Sequence, residues 1–382
     1  MRHNIVIKPN AYHGGTEFDL KTVFMTLCVA LALFLCLGVS ADDINVSAHA
    51  AALIDADSGR ILWAKNADEQ MSMASTTKIM TALVAIENAD IKDEVVIPAK
   101  AVGVEGSSVC LKEGEILTLE ELLYAMLLES ANDAAAAIAI HVGGSIEDFA
   151  LMMNERAGQM GLESTSFANP HGLDAEGHYT TARELGLIAA EALKNSDFAK
   201  MVSTYRHQIP FGKESRRYLL NHNKMLKLYD GAIGVKTGFT KKSGRCLVSA
   251  AERDGLRLVA VTLNAPSDWS DHRAMLDYGF ENYEMREIVS EGEYSFKLSC
   301  VSGESPEITV TNSVGFKMCM RRGDTDACVT VNLPRFVYAP ISAGAPLGEA
   351  VISKNGEVLG KVELISSDES KQKIYKRKFL WF

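Results

Sequence analysis

The stretch that decides the fold is Ala74-Ser75-Thr76-Thr77-Lys78-Ile79-Met80-Thr81-Ala82-Leu83-Val84-Ala85-Ile86. Ile79, Met80, Leu83, Val84 and Ile86 fall at helical spacing, so a helix is expected over 74–89. Ser75 and Lys78 are three residues apart at its start, which places both side chains on one face. Alone, a serine there reads as a helix N-cap. Two further elements change its meaning. Ser130-Ala131-Asn132 lies between two expected helices, and Lys236-Thr237-Gly238 opens an expected strand. Each is weak alone: the first is a capping loop, the second a turn entering a strand. Their order, spacing and placement on helix, loop and strand give the set its weight.

Working outward, 49–65 reads as strand–turn–strand about Asp55-Ala56-Asp57-Ser58-Gly59. Thr118 with Glu121, and Thr181 with Glu184, are capping-box starts for helices over 119–128 and 185–193. A helix over 133–141 ends at Gly143-Gly144. The apolar runs 247–251 and 256–263 flank Glu252-Arg253-Asp254-Gly255, a hairpin pattern. Helices around a few antiparallel strands give an α/β sandwich. Near Tyr283 the character changes. From Arg286 to Ile365 short β-type runs are split by turns, including Lys354-Asn355-Gly356, and a separate small β domain is expected.

The chemistry follows from residue types. A serine hydroxyl becomes a nucleophile when a base takes its proton, and Lys78 is placed to be that base. A second cation, Lys236, favours neutral Lys78 because like charges disfavour each other. Ser130 can relay the proton to a leaving amine, and Asn132 can orient Lys78 and meet a substrate backbone. Thr237 offers a hydroxyl to a terminal carboxylate, and Gly238 leaves room for substrate along the strand edge. No metal ligand set or cofactor motif is expected: His171, Asp174 and His178 lie in a Pro-His-Gly loop that favours structural histidines.

The net charge of −10 argues against nucleic acid as a partner. The last twelve residues carry five Lys or Arg and no acid, and end Phe379-Leu380-Trp381-Phe382. Basic residues beside aromatics suit an anionic membrane surface. At the other end, the apolar run 23–39 followed by Val39-Ser40-Ala41 reads as an export signal cleaved after Ala41, with an uncleaved anchor as the alternative. Of seven cysteines, two fall in that run. Cys319 and Cys328 lie symmetrically about Arg322-Gly323-Asp324-Thr325; in a hairpin they would face each other, and export permits a disulfide. Two half-buried thiols is the plainer reading.

With these motifs the chain resembles the serine-type D-Ala-D-Ala carboxypeptidases, the low-molecular-mass penicillin-binding proteins. The likeness runs from about His49 to the C-terminus and includes Asn169-Pro170-His171-Gly172-Leu173-Asp174, residues 230–247 around Lys236, and the run from Ala339-Pro340-Ile341 through Leu364. It implies a penicillin-binding/β-lactamase-like transpeptidase fold, an antiparallel sheet flanked by helices, followed by a small all-β domain. The expected organisation is a signal peptide over 1–41, a catalytic domain over 42–284, a β domain over 285–366 and a basic-aromatic tail over 367–382. The implied activity is removal of the terminal D-Ala from peptidoglycan stem peptides ending in D-Ala-D-Ala, outside the cytoplasm, through a Ser75 acyl-enzyme. β-Lactams would be inhibitors. The resemblance also implies an oxyanion hole from the backbone N–H groups of Ser75 and Phe239. Two positions depart from the family: Phe239 stands where a histidine is frequent, and the arginine expected within 266–271 is missing. Arg273 is the nearest substitute, although a solvated helix residue is the plainer reading of it. A β-lactamase fits less well, since no Glu-x-x-Leu-Asn element lies between Asn132 and Lys236.

Overall fold

A computed structural model describes residues 44–212, 214–324 and 327–374. The expected signal over 1–41 and the tail beyond residue 374 lie outside the described residues.

A five-stranded antiparallel sheet forms the backbone of the catalytic part. Its strands are β1 (Ala50–Asp55), β2 (Ile61–Lys65), β3 (Ala232–Thr240), β4 (Gly244–Arg253) and β5 (Leu256–Leu263), in spatial order β2-β1-β5-β4-β3. Every residue of β1 is buried, because helices cover both faces. Leu53 and Ile54 are neighbours and so point to opposite sides of the sheet. On one side α5 (Ala182–Ala192) approaches so closely that a Cβ on Gly186 would lie 2.1 Å from the Ile54 Cδ1 atom. On the other, α7 (Asp268–Asn282) brings Gly279 against Leu258 and Leu53. Glycine at each crossing lets the layers close.

A helical lobe packs beside the sheet. It contains α1 (Lys78–Asn88), α2 (Leu119–Leu128), α3 (Asn132–Gly143), α4 (Ile146–Gln159) and α6 (Ser196–Ser203). The α3 sequence NDAAAAIAIHVG is buried from Asn132 through Ala139, as expected for a helix that is apolar all round and central to its lobe. Thr118 and Glu121 form the expected capping box. Thr181 caps α5 through the Glu184 N–H, whereas the Glu184 carboxylate turns away to accept from the Glu163 and Ser164 N–H groups.

The first helix differs from expectation in one useful way. Residues Ala74–Thr77 form a 3-10 turn, and the α-helix begins only at Lys78. In a 3-10 turn residues i and i+3 eclipse, so Ser75 and Lys78 are aligned more closely than on an α-helix. The third motif also shifts: Lys236-Thr237-Gly238 lies mid-strand in β3, which starts at Ala232.

After α7 the chain enters a second, all-β region built on its own core of Leu298, Ile308, Val310, Ile352 and Leu364. Its strands are β6 (Tyr283–Val289), β7 (Ser295–Val301), β8 (Glu307–Asn312), β9 (Phe316–Arg321), β10 (Cys328–Asn332), β11 (Phe336–Tyr338), β12 (Pro346–Lys354) and β13 (Glu357–Ser366). Six form one sheet ordered β10-β12-β13-β8-β7-β11, and β6 pairs with β9. The turn at Asn355-Gly356 has φ of 51° and 85°, the paired positive values that a tight hairpin requires. The Arg60 side chain reaches across to the Cys319 carbonyl oxygen at 2.8 Å.

The proposed Cys319–Cys328 hairpin does not form. Cys319 on β9 sits opposite Met285 of β6, and Cys328 on β10 sits opposite Ser353 of β12. The strands flanking the turn join different sheets, so the two thiols are free, one buried and one exposed.

Candidate active site

The three motifs converge where the 3-10 turn, the α2–α3 connection and β3, an edge strand of the sheet, meet. The Lys78 Nζ atom lies 3.0 Å from Ser75 Oγ, 2.7 Å from Asn132 Oδ1 and 2.6 Å from the His171 carbonyl oxygen. A neutral amine has two N–H donors and one lone pair. Asn132 and His171 accept from the two donors, and the lone pair is left facing the Ser75 hydroxyl. Burial holds Lys78 well below the ordinary lysine range, and the positive charge of Lys236 acts in the same direction. Lys236 is itself pushed down to about 7 by burial, and its Nζ donates to the Thr237 carbonyl oxygen at 3.0 Å.

Backbone shape sets the approach. Ala74 and Ser130 have φ of 49° and 59°, the left-handed region that residues with a Cβ avoid. Each strained residue stands at or beside a motif serine. Gly238 crosses directly over the turn: a Cβ there would lie 3.0 Å from the Ser75 backbone nitrogen. Phe239 follows with its side chain 66% exposed at the cleft mouth. Ser75, Ser130, Thr237, Gly238 and Phe239 line one open cavity of about 370 Å³.

The loop 169–174 packs behind the turn, with the His171 carbonyl on Lys78 and Gly172 against Ala74, and His178 is hydrogen-bonded within the protein. Thr77 Oγ1 donates to the Ala74 carbonyl oxygen and accepts from His178 Nε2 at 2.8 Å, while His178 Nδ1 accepts from the Ala168 N–H. Burial keeps both His171 and His178 neutral, down to about 4. Among the described residues no three His, Cys, Asp or Glu side chains are grouped to hold a metal ion.

Sequence reasoning missed four residues. Asp133, buried behind Asn132, accepts from Ser108 Oγ at 2.6 Å and the Leu111 N–H at 3.0 Å, pinning the loop whose Ser107 carbonyl receives the Asn132 N–H. Arg245 lies in the cavity wall, paired with Asp268 at 2.8 Å and 5.8 Å from the Trp269 ring. It stands opposite Phe239 across β3–β4, a register legible only if the strand is started at Gly244 rather than Leu247. Arg273 follows its plainer reading as a solvated helix residue: it is exposed on α7 and donates to the Leu228 carbonyl oxygen, away from this cavity. His222 and Lys224 complete the far wall with no motif to announce them.

A profile for the D-alanyl-D-alanine carboxypeptidase family matches residues 38–267. The chain belongs to that family. A second profile, for the penicillin-binding protein 5 C-terminal domain, matches residues 283–372. The chain is 32% identical over 345 residues to the D-alanyl-D-alanine carboxypeptidase DacF of Bacillus subtilis, covering 88% of this chain and 89% of that one. Penicillin-binding protein 5 from Haemophilus influenzae superposes with a TM-score of 0.69 at 25% identity, covering 86% and 98%. A peptidoglycan synthesis regulatory factor (PBP3) from Streptococcus pneumoniae shares the fold, with a TM-score of 0.74 at 24% identity over 86% and 100%. This D-alanyl-D-alanine carboxypeptidase is therefore a serine-type hydrolase of the penicillin-binding class, with the antiparallel-sheet fold and C-terminal β domain of that class.

Proposed function

We propose that Ser75 is the acylated nucleophile with which this carboxypeptidase removes the terminal D-Ala of peptidoglycan stems, and that Lys78 is its base. The observation that carries this reading is the Lys78 amine, buried, 3.0 Å from Ser75 Oγ, with both of its N–H groups otherwise engaged.

The neutral Lys78 amine takes the Ser75 proton as Oγ attacks the D-Ala carbonyl carbon. The oxyanion is received by the backbone N–H groups of Ser75 and Phe239. Ser130 passes a proton to the leaving amine, D-Ala departs, and water opens the ester to release the shortened stem. The peptide lies along the free edge of β3, with Asn132 facing its backbone. Its terminal carboxylate meets the Thr237 hydroxyl, Lys236 and the Arg245 guanidinium. A β-lactam undergoes the same attack, but its leaving group stays tethered to the acyl-enzyme.

Export places the enzyme with its substrate, outside the cytoplasmic membrane, in keeping with the N-terminal apolar run. The basic-aromatic tail over 371–382 then contacts the outer face of that bilayer; equal co-sedimentation with anionic liposomes after its removal would refute this. The catalytic reading is tested by intact-protein mass spectrometry with benzylpenicillin. A single penicilloyl adduct that is absent from Ser75→Ala is expected. An adduct that persists in the variant overturns the assignment.

A further inference from the structure

The peptide between Ala74 and Ser75 is held by three contacts. Gly172 packs against it, since a Cβ there would lie 2.0 Å from the Ala74 carbonyl oxygen and 2.9 Å from the Ser75 nitrogen. Gly238 of β3 approaches the same nitrogen, at 3.0 Å by the same measure. The third contact is on the Ala74 carbonyl oxygen itself, which accepts from Thr77 Oγ1 at 2.7 Å. This peptide carries both strain and chemistry. Ala74 has φ of 49°, and the Ser75 N–H is one of the two oxyanion donors. A trans peptide points its N–H opposite to its C=O. Whatever fixes the Ala74 carbonyl therefore aims the Ser75 N–H.

The hold on that carbonyl begins at His178, which is 5% exposed. Backbone bridges from Tyr179 to Ser166 and from Thr180 to Met71 carry its segment between residue 166 and the chain entering the turn. The hydrogen bonds then run in one direction. The Ala168 N–H can only donate, and it meets His178 Nδ1 at 3.0 Å, so Nδ1 is the bare nitrogen. Burial keeps the imidazole neutral, its pKa down at about 4, so its single proton sits on Nε2. That N–H donates to Thr77 Oγ1 at 2.8 Å, and the Thr77 hydroxyl turns its own hydrogen to the Ala74 carbonyl. His178 does not line the cleft and reaches the chemistry only through Thr77. We propose that His178 is a positioning residue: through Thr77 it sets the plane of the Ala74–Ser75 peptide and aims the Ser75 N–H at the oxyanion.

This inference rests on the Ser75 reading, and the test separates the two. Stopped-flow acylation by benzylpenicillin gives the dissociation constant of the initial complex and the limiting rate. Mass spectrometry gives the lifetime of the adduct. A glutamine amide nitrogen reaches the place of Nε2, whereas an asparagine oxygen reaches that of Nδ1. His178→Gln therefore keeps the Thr77 bond, and His178→Asn keeps the Ala168 bond. His178→Asn should lower the limiting acylation rate at least about tenfold, as a displaced oxyanion donor would. It should also prolong the adduct, with initial binding held within about threefold. His178→Gln should recover most of that loss. Thr77→Val should match His178→Asn, Thr77→Ser should recover, and the Thr77→Val/His178→Asn double variant should be little worse than either single one. Equal rates in the Asn and Gln variants, a loss confined to initial binding, or fully additive losses would overturn the positioning role alone. An adduct that persists in Ser75→Ala overturns both readings. Circular dichroism checks each fold, and the Thr77 pair decides the matter if a His178 variant unfolds.

Discussion

The Lys78 amine and the Ser75 hydroxyl lie 3.0 Å apart because the turn between them is 3-10 rather than α-helical. Eclipsed side chains three residues apart put base and nucleophile in contact before any substrate arrives. Lys78→Met should therefore lower the second-order rate of benzylpenicillin acylation by about 10²–10⁴-fold, the usual contribution of a positioned base. The protein should stay folded, because a buried methionine replaces a buried amine. Stopped-flow acylation with circular dichroism as the folding check decides it; acylation within tenfold of wild type would remove Lys78 from the role.

Lys78 must be neutral to act, so acylation falls as pH drops through its pKa. The positive charge of Lys236 helps keep that pKa low. Lys236→Met removes the like charge, protonation of Lys78 becomes easier, and the acid limb of the pH–rate profile should move to higher pH. A profile that is lower in height but unmoved would mean that Lys236 does not tune the base.

Gly172 has φ of 88°, and a Cβ on it would lie 2.0 Å from the Ala74 carbonyl oxygen. Gly177 has a similar φ of 73° with nothing within 4 Å of such a Cβ. The pair separates backbone strain from collision. Both Gly→Ala variants should lose about 1 kcal/mol or more of stability through φ alone. Gly172→Ala should in addition push the Ser75 turn out of place and cut acylation by more than tenfold, with Gly177→Ala near wild type. Denaturant melts and acylation rates on the two proteins are the measurement.

Arg245 is a cation of the cavity wall, and its partner Asp268 is buried. Arg245→Gln should raise KM for a D-Ala-D-Ala peptide by about tenfold while leaving the preference over the C-terminal amide much reduced. Pairing the change with Asp268→Asn avoids leaving a buried carboxylate unmatched. An unchanged preference for the free carboxylate in the double variant would assign that recognition to Thr237 and Lys236 instead.

His272 joins the sheet to α7: its Nε2 is 2.9 Å from Thr262 Oγ1, and its Nδ1 meets Ser249 Oγ. Burial pushes it down to about 3, below the roughly 6.5 of an unfolded histidine. The unfolded chain thus binds the proton first. The contribution is complete above about pH 6.5 and is lost as pH falls toward 3, on the order of 2 kcal/mol by pH 5. His171 and His178 act in the same sense. Urea melts at pH 7 and pH 5 should show a smaller loss in His272→Gln than in wild type; equal losses would clear His272 of the effect.

Much of the site was legible because its chemistry is local. Ser75 and Lys78 declare themselves three residues apart, and Thr118 with Glu121 writes a cap into four residues. Arg245 was not legible, because its meaning depends on pairing with Phe239 across a hairpin whose start is one strand-turn earlier than the apolar run suggests. Asp133 carries no motif; it matters through the loop that folds back onto it.

The sequence by itself determined the nucleophile–base spacing, the order of the three motifs, the alternation of helices and antiparallel strands, and the change to an all-β region near Tyr283. Those are periodicities and short-range contacts, which the chain encodes within a few residues. Only the tertiary structure decided which groups share the cavity, which arginine faces it, and that Cys319 and Cys328 go to different sheets. It also decided that Lys78 and Lys236 are buried, with 0% and 1% exposure. The reason is desolvation: an amine loses its proton at neutral pH only when the rest of the fold has taken water away from it, and no short stretch of sequence can do that alone.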